Sequence, residues 1–296
     1  MKRGFSACHP AVIFLYFGLM LLFSLWLTHP AAAVLSLLGA VLWSRQLGGR
    51  ETARFQLRTL LPMLILAALL NPVFSHEGAT ILTWLPSGNP LTLESILYGI
   101  GTAGMLACVI CWFFCFNRVV TSDMFLYLFG RAAPALSLIL SMVLRLVPRL
   151  QQQFHAVCRT QAALGRPTDR GPLLQRWANA VRVWSVLLTW ALENAVDTAD
   201  SMRSRGYGLP GRTSFSLYRL TEKDSGLLCW LGTLAALLTA LALRGALTWR
   251  YYPTVRGAAW DIWQVTALLV YLALSLTPCI LDAWEGREWK RMTSDI

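Results

Sequence analysis

Apolar residues fall in six blocks along the chain, at about 11–27, 30–43, 59–74, 95–116, 226–243 and 260–281. A helix crossing the hydrocarbon core of a bilayer needs roughly 20 predominantly apolar residues. The second and third blocks are short by that measure, so hydropathy alone does not count the crossings. Between the fourth and fifth blocks the pattern changes. "APALSLILSMVLRLVP" (133–148) is apolar until Arg145 and is expected to bend at Pro148. A second helix is expected over about 149–164, with Leu150, Phe154, Val157 and Gln161 at helical spacing, and "DRGP" breaks the chain after it. A third helix is expected from about Gln175 to Arg205. In it Val181, Trp184, Leu188, Ala191, Ala195, Thr198 and Met202 alternate steps of three and four and form one seam. Glu193, Asp197 and Asp200 fall on the opposite face. Its apolar part is too short to span, which predicts an amphipathic helix lying on or under a membrane and packed against a neighbour.

Charge settles the count. Lys2 and Arg3 precede the first block, while Arg45, Arg50, Arg54 and Arg58 follow the second. Basic segments stay on the cytoplasmic side, so the chain crosses twice between them and Thr28-His29-Pro30 becomes an outer turn. Ser75 to Glu94 contains no Lys or Arg and is expected outside. Segment 117–223 holds fourteen Lys and Arg against six Asp and Glu, and is expected inside. The last two blocks make another hairpin, after which "EGREWKRM" returns the chain to the cytoplasm. The expectation is an all-α integral membrane protein with about six transmembrane helices, both termini cytoplasmic, and a cytoplasmic or interfacial domain of long amphipathic coupling helices. Its parts are 1–116 with four spans, 117–223, and 224–296 with the final hairpin and a basic tail.

Composition agrees. The 296 residues are 56% hydrophobic and 14% charged, with a mean hydropathy of +0.51; a soluble domain carries roughly 25% charged residues. The net charge of +11 sits in a few inter-span segments, which argues against nucleic acid as a partner. The run after Lys2 and Arg3 lacks a small-residue cleavage site and is expected to be a span, not a removable signal. Cys108, Cys111 and Cys115 share a helix face, but no second pair of Cys or His completes a metal site; small buried packing groups are the expected role. A phosphate-binding loop needs Gly-Lys followed by Ser or Thr. The only lysines are Lys2, Lys223 and Lys290, none in that context, so the chain is not itself an ATPase. A proton-coupled carrier keeps ionisable groups within its spans; here only edge residues such as Glu94 and Asp261 approach the bilayer. There is no HExxH and no acid pair in an apolar cleft, and no cofactor is expected.

One stretch is out of keeping with the rest. "ADSMRSRGYGLPGR" (199–212) places Arg203 and Arg205 in the last turn of a helix that Gly206 or Gly208 ends. Favourable charge at a helix C-terminus and a basic fingertip offered to a partner explain it equally well on physical grounds.

The wider sequence favours the fingertip. "NPVFSHEG" (71–78), "LTLESILYG" (91–99), "SMVLRLVPRL" (141–150) and above all "TWALENAVDTADSMRSRGYG" (189–208) resemble the transmembrane T component of energy-coupling-factor transporters, the family that includes the cobalt-transport CbiQ proteins. In that family two Ala-Arg-Gly-like motifs end the coupling helices, and each arginine docks on one ATPase subunit. The resemblance puts the second motif at Ser204-Arg205-Gly206, with Arg203 beside it. The first falls at Ala163-Leu164-Gly165, where leucine replaces arginine and Arg159 or Arg166 stands as a substitute. The segment "HPAVIFLYF" also departs from the family's basic start, and 260–281 extends beyond its shorter members.

The resemblance implies partnership with two cytoplasmic ATP-binding-cassette subunits, a substrate-binding membrane S component and membrane lipid, in a prokaryotic cell membrane, for import of a vitamin or transition-metal ion. The stripe Leu138, Met142 and Leu146 is the expected surface for the S component. A stand-alone secondary carrier and a membrane-anchoring interaction protein remain the alternatives.

Overall fold

The computed structural model describes residues 4–75, 78–84, 90–130, 133–169, 171–207, 209, 218–257 and 261–294. Gly208, Arg212 and Ser87 lie outside them. The chain divides into two compact units, 1–125 with 218–296, and 126–217.

In the first unit α1 (Pro10–Trp26), α2 (Pro30–Phe55), α3 (Leu61–Phe74), α4 (Leu93–Val119), α8 (Glu222–Leu243) and α9 (Ile262–Ser294) realise the six apolar blocks as helices. Among the described residues four stretches are long and apolar enough to cross a membrane: Pro30–Gly49, Leu93–Val119, Glu222–Leu243 and Ile262–Arg287. Pro10–Trp26 and Leu61–Phe74 are apolar but shorter. The protein is thus an all-α membrane protein. Helix α2 is interrupted at Gly49, whose backbone is not helical, and a π-turn at Gln56–Leu60 leads into α3. Two small antiparallel ladders were not expected: β1 (Ile81–Trp84) with β2 (Pro90–Thr92), and β3 (Trp249–Arg250) with β4 (Arg256–Gly257). Their strands are too short to show a period of two.

Lipid tails are as apolar as leucine, so helices in a bilayer associate through close packing and hydrogen bonds. Both are present. Phe5, Tyr16, Phe17, Trp43 and Trp112 interlock edge to face, all nearly or fully buried. Ser24 hydroxyl lies 3.2 Å from both Ser36 Oγ and Tyr271 OH, and Trp112 Nε1 donates to Ser36 Oγ at 3.0 Å, tying α1, α2, α4 and α9 together. Small residues permit close approach: a Cβ on Gly99 would meet the Ala68 carbonyl at 2.6 Å. Cys108, Cys111 and Cys115 are buried in α4, with Cys108 Sγ donating to the Ala33 carbonyl of α2 at 3.2 Å.

Polar residues at the span edges clasp chain ends together. Asp282 accepts from Phe5 N at 2.7 Å and from Trp43 Nε1 at 2.9 Å, and Glu285 accepts from Gly4 N at 2.7 Å. Asp224 closes a capping box with Thr221 at the start of α8 and also accepts from His9 N at 2.9 Å. Glu94 is buried and accepts from Thr80 N and Thr80 Oγ1, which ties the start of α4 to the residue before β1.

The second unit is a helical hairpin of α6 (Pro134–Ala163) and α7 (Leu173–Ser204); the short helix α5 (Ser122–Gly130) leads into it. Two expectations fail here. The chain forms one helix through Pro148, not two, because its half-buried positions Leu146 and Leu150 keep the same side on either flank and packing overrides a local breaking preference. The seam expected to pack on α7 is also misplaced. Val181, Trp184 and Leu188 are exposed, while Val183 and Leu187 are buried against Val157 of α6.

Candidate functional site

The two ends of the hairpin have the same architecture. In α6, Leu164 is the capping residue, Gly165 N–H donates to the Ala162 carbonyl at 3.0 Å, and Arg166 N–H reaches back to the Gln161 carbonyl at 2.9 Å. In α7, Arg205 is the capping residue, Gly206 N–H donates to the Arg203 carbonyl at 2.9 Å, and Tyr207 N–H reaches the Met202 carbonyl at 3.0 Å. This paired bond pattern is the Schellman ending, which requires a left-handed residue just past the cap. Glycine supplies it at both ends, with φ of 77° at Gly165 and at Gly206. The caps match as well: φ −82° and ψ 11° at Leu164, φ −86° and ψ 7° at Arg205. Ala163-Leu164-Gly165 and Ser204-Arg205-Gly206 are therefore equivalent pieces of backbone that differ in the side chain presented.

Each tip is exposed. Leu164 retains 66% of its accessible surface, and Arg159, Ala163, Arg166, Arg203, Ser204 and Arg205 are exposed as well. Within the described residues no hydrogen bond or ion pair engages the guanidinium of Arg205, nor joins Arg203 to Asp200. Gly208, the other glycine available to end α7, is outside the described residues, and Gly206 performs that task.

The hairpin sets how far apart the tips lie. Val157 packs on Val183 and Leu187, and the Arg149 guanidinium lies 5.5 Å from the Trp190 ring centre. Earlier positions of α6 thus oppose later positions of α7, and the helices run antiparallel. Leu164 lies seven residues beyond Val157, and Arg205 fifteen beyond Trp190, in opposite directions. At 1.5 Å per residue the two tips are separated by on the order of 40 Å along the hairpin. The connecting loop is pinned by Asn179 Nδ2 to the Pro167 carbonyl at 2.9 Å and Arg176 Nε to the Thr168 carbonyl at 3.2 Å.

The expected stripe Leu138, Met142 and Leu146 is half-buried, on the side that continues into Leu150 and Val157. The more open face of α6 carries Leu136, Ile139, Val143 and Val147, and that of α7 carries Trp177, Val181, Trp184 and Leu188. Sequence spacing did not separate these stripes, since each recurs at steps of three and four. Among the described residues no three His, Cys, Asp or Glu side chains gather as a metal site. The Cys8 thiol is pushed up to about 12, chiefly by burial.

Comparison with known proteins shows which family the chain comes from. The family model for the cobalt transport protein CbiQ matches residues 8–215, which takes in both tips. The chain belongs to the CbiQ family. The CbiQ-type match ends before α8 and α9. Curated relatives carry the name energy-coupling factor transporter transmembrane protein EcfT. The Listeria innocua protein is 30% identical over 190 residues, covering 59% of this chain and 70% of its own. The Exiguobacterium sibiricum protein is 33% identical over 107 residues, 36% of this chain and 41% of its own. The Bacillus subtilis protein is 34% identical over 104 residues, 35% of this chain and 39% of its own. The chain thus spans about two fifths of the length of the last two relatives.

Proposed function

We propose that this CbiQ-family chain is the membrane scaffold of an ATP-driven importer of the energy-coupling-factor type. In this reading it transmits the motion of two cytoplasmic ATP-binding-cassette subunits to a separate substrate-binding S component, for uptake of a vitamin or a transition-metal ion. The observation that carries the reading is the pair of matched helix endings at opposite ends of one hairpin. A single exposed arginine is an ordinary capped end. Two identical endings about 40 Å apart suit two separate partner bodies, each gripping one tip. The sequence supports the division of labour, since the chain has no Gly-Lys-Ser/Thr loop of its own. The basic segments favour six crossings of a prokaryotic cell membrane, with 117–223 and both termini on the cytoplasmic side.

The test is purification of the tagged chain from its native membranes, followed by identification of co-purifying subunits and by uptake assays. Two ATPase copies and a small membrane subunit in stable ratio are expected, with uptake that stops when ATP is removed. Solute uptake by liposomes holding this chain alone would overturn the reading in favour of a stand-alone carrier.

A further inference from the structure

We infer that the outer end of the membrane unit holds an anionic phospholipid. One acyl chain lies in an apolar cavity between α2, α4 and the β3–β4 ladder, and Arg250 and Arg256 meet the phosphate. This rests on the six-crossing reading above, which places 244–261 outside, and adds a ligand to it.

The cavity has a volume of about 230 Å³, with walls from Val34 and Leu37 of α2, Ile100 and Gly104 of α4, and Trp249 and Val255 at the ladder. The three turns that the charge pattern assigns to the outside meet here. Ala79 N–H donates to the Pro253 carbonyl at 3.1 Å, and the His29 and Trp249 rings lie 5.1 Å apart. From Pro30 to Leu37 the cavity follows α2 for about 10 Å, within the roughly 15 Å that one leaflet contributes to the hydrocarbon core. Val34 and Ile100 remain 57% and 56% exposed, so the cavity is open on the side that lipid covers. Its apolar walls give water no partners. Its volume falls short of the roughly 300–1,000 Å³ that encloses a whole small molecule. A length of acyl chain, whose remainder stays in the bilayer, fits both limits. Gly104 keeps the space clear: a Cβ there would meet nothing within 4 Å, whereas one on Gly101 would run into the Tyr251 hydroxyl.

Charge identifies the headgroup. Residues 244–261 carry Arg244, Arg250 and Arg256 against Asp261 alone, whereas Ser75–Glu94 has neither Lys nor Arg. Cations on an outer segment run against the tendency of basic residues to stay inside. Arg244 is engaged over the Trp263 ring, 5.3 Å from its centre. Arg250 and Arg256 are not so engaged. They are direct partners across the ladder, both exposed, and among the described residues neither has a hydrogen bond or ion pair. Like charges directly opposite one another destabilise a strand pair, and a bound anion offsets that repulsion. Alternation along the strands puts Trp249 on the cavity side and the arginines on the other. Long basic side chains at a membrane interface lie along it and carry their charge to the phosphates. A phospholipid joins an apolar chain to an anion at this depth.

The test places the full chain, purified with its partners, in phosphatidylcholine vesicles with a trace of phosphatidylglycerol that carries a diazirine in one acyl chain. A second preparation carries the same diazirine in phosphatidylcholine, and cross-links are mapped to peptides after illumination. Residues 30–37 and 97–104 should be labelled about tenfold more by the phosphatidylglycerol probe, given two arginines near the phosphate. The exposed Leu66 and Leu69 of α3 should be labelled equally by both. Gly104→Leu should lower labelling at the cavity to the level of the phosphatidylcholine probe, because the chain no longer has room. Arg250→Gln combined with Arg256→Gln should abolish the preference, with a melting temperature in lipid-free detergent that is unchanged or raised, because the repulsion is gone. Equal labelling by the two probes, no labelling by either, or a preference that survives Gly104→Leu overturns the inference and leaves the crossing arrangement standing. The arrangement has its own readout: an impermeant reagent applied to intact cells should reach a cysteine at the exposed Thr248. Failure there would overturn the outer placement, and this inference with it.

Discussion

Replacing Arg205 by alanine separates a docking residue from a capped helix end. The structure indicates that folding should barely notice the change. The ending of α7 is held by main-chain bonds from Gly206 to Arg203 and from Tyr207 to Met202, which any residue at the cap can keep. Arg203 remains in the last turn to complement the helix dipole. Surface substitutions of this kind stay within about 0.5 kcal/mol. The complex should respond very differently. Truncating one member of a buried, hydrogen-bonded charge pair costs roughly 2–5 kcal/mol, because partner acceptors are left unpaired. At about 1.4 kcal/mol per tenfold, that weakens one ATPase contact by some thirtyfold to several thousandfold. Arg203→Ala is the control: Arg203 lies about 200° around the helix from Arg205 and should do far less. The assay is ATPase recovery with the tagged chain, uptake in cells, and the melting temperature of the purified chain in detergent. Arg205→Ala with wild-type recovery and uptake would refute the reasoning, and a large drop in melting temperature would show that the residue acts in folding.

Three further outcomes are expected. In a chain whose native cysteines are replaced, a cysteine at Ser87 should react with an impermeant reagent applied to intact cells, and one at Thr168 should not; labelling at Thr168 would end the six-crossing arrangement. Met142→Asp should weaken recovery of the S component while ATPases stay bound, and Val143→Asp, on the more exposed face, should do so without disturbing the hairpin; equal loss of both partners would point to unfolding. Asp282→Ala should lower the melting temperature, because Phe5 N–H and the buried Trp43 indole N–H lose their acceptor at about 1–3 kcal/mol per unsatisfied donor; an unchanged melting temperature would show that the clasp is idle.

The apolar blocks located the start of each of the six long helices of the first unit to within about four residues, since a bilayer imposes length and hydropathy together; the ends of α2 and α9 run on past their blocks into charged sequence, to Phe55 and Ser294. The sequence could not show how those helices hold one another. Ser24, Ser36, Trp112 and Tyr271 are unremarkable in four separate apolar runs, and only the fold gathers them into one network. Asp282 is illegible for a related reason: an acid at the end of an apolar run reads as a boundary, while its two donors lie more than 200 residues away. In α7 the periodicity was real but ambiguous. Val181–Trp184–Leu188 and Val183–Leu187–Trp190 are both helical stripes, about 100° apart, and apolar residues cover too much of the helix for spacing to choose between them. The tips were the most legible part of the site, because glycine just past a helix end has a conformational reason to be there.

In the proposed role of a coupling scaffold, the placement of packing within the hairpin bears on how force would pass through it. Val157, Val183 and Leu187 form its only buried apolar cluster among the described residues, and Arg149 stacks on Trp190 nearby. Contact is therefore concentrated around the middle of α7, which runs on for about four turns from Trp190 to Arg205, while α6 runs only about two turns from Val157 to Leu164. From Trp190 to Arg205 the arm is about 22 Å long, at 1.5 Å per residue. A rotation of about 10° around the central contact would carry that tip by about 4 Å, with no bond in either helix broken. The Schellman endings tie the last-turn carbonyls to the residues past each cap, so a partner held at a tip would pull on the helix through main-chain bonds. Exposed Trp184 and Leu188 on α7, and exposed Val143 and Val147 on α6, lie on the same two rigid bodies. Those faces lie beside the central contact, so a membrane partner seated on them would be turned with its helix as a tip swings, through movement of one helix against the other and without a change inside either helix.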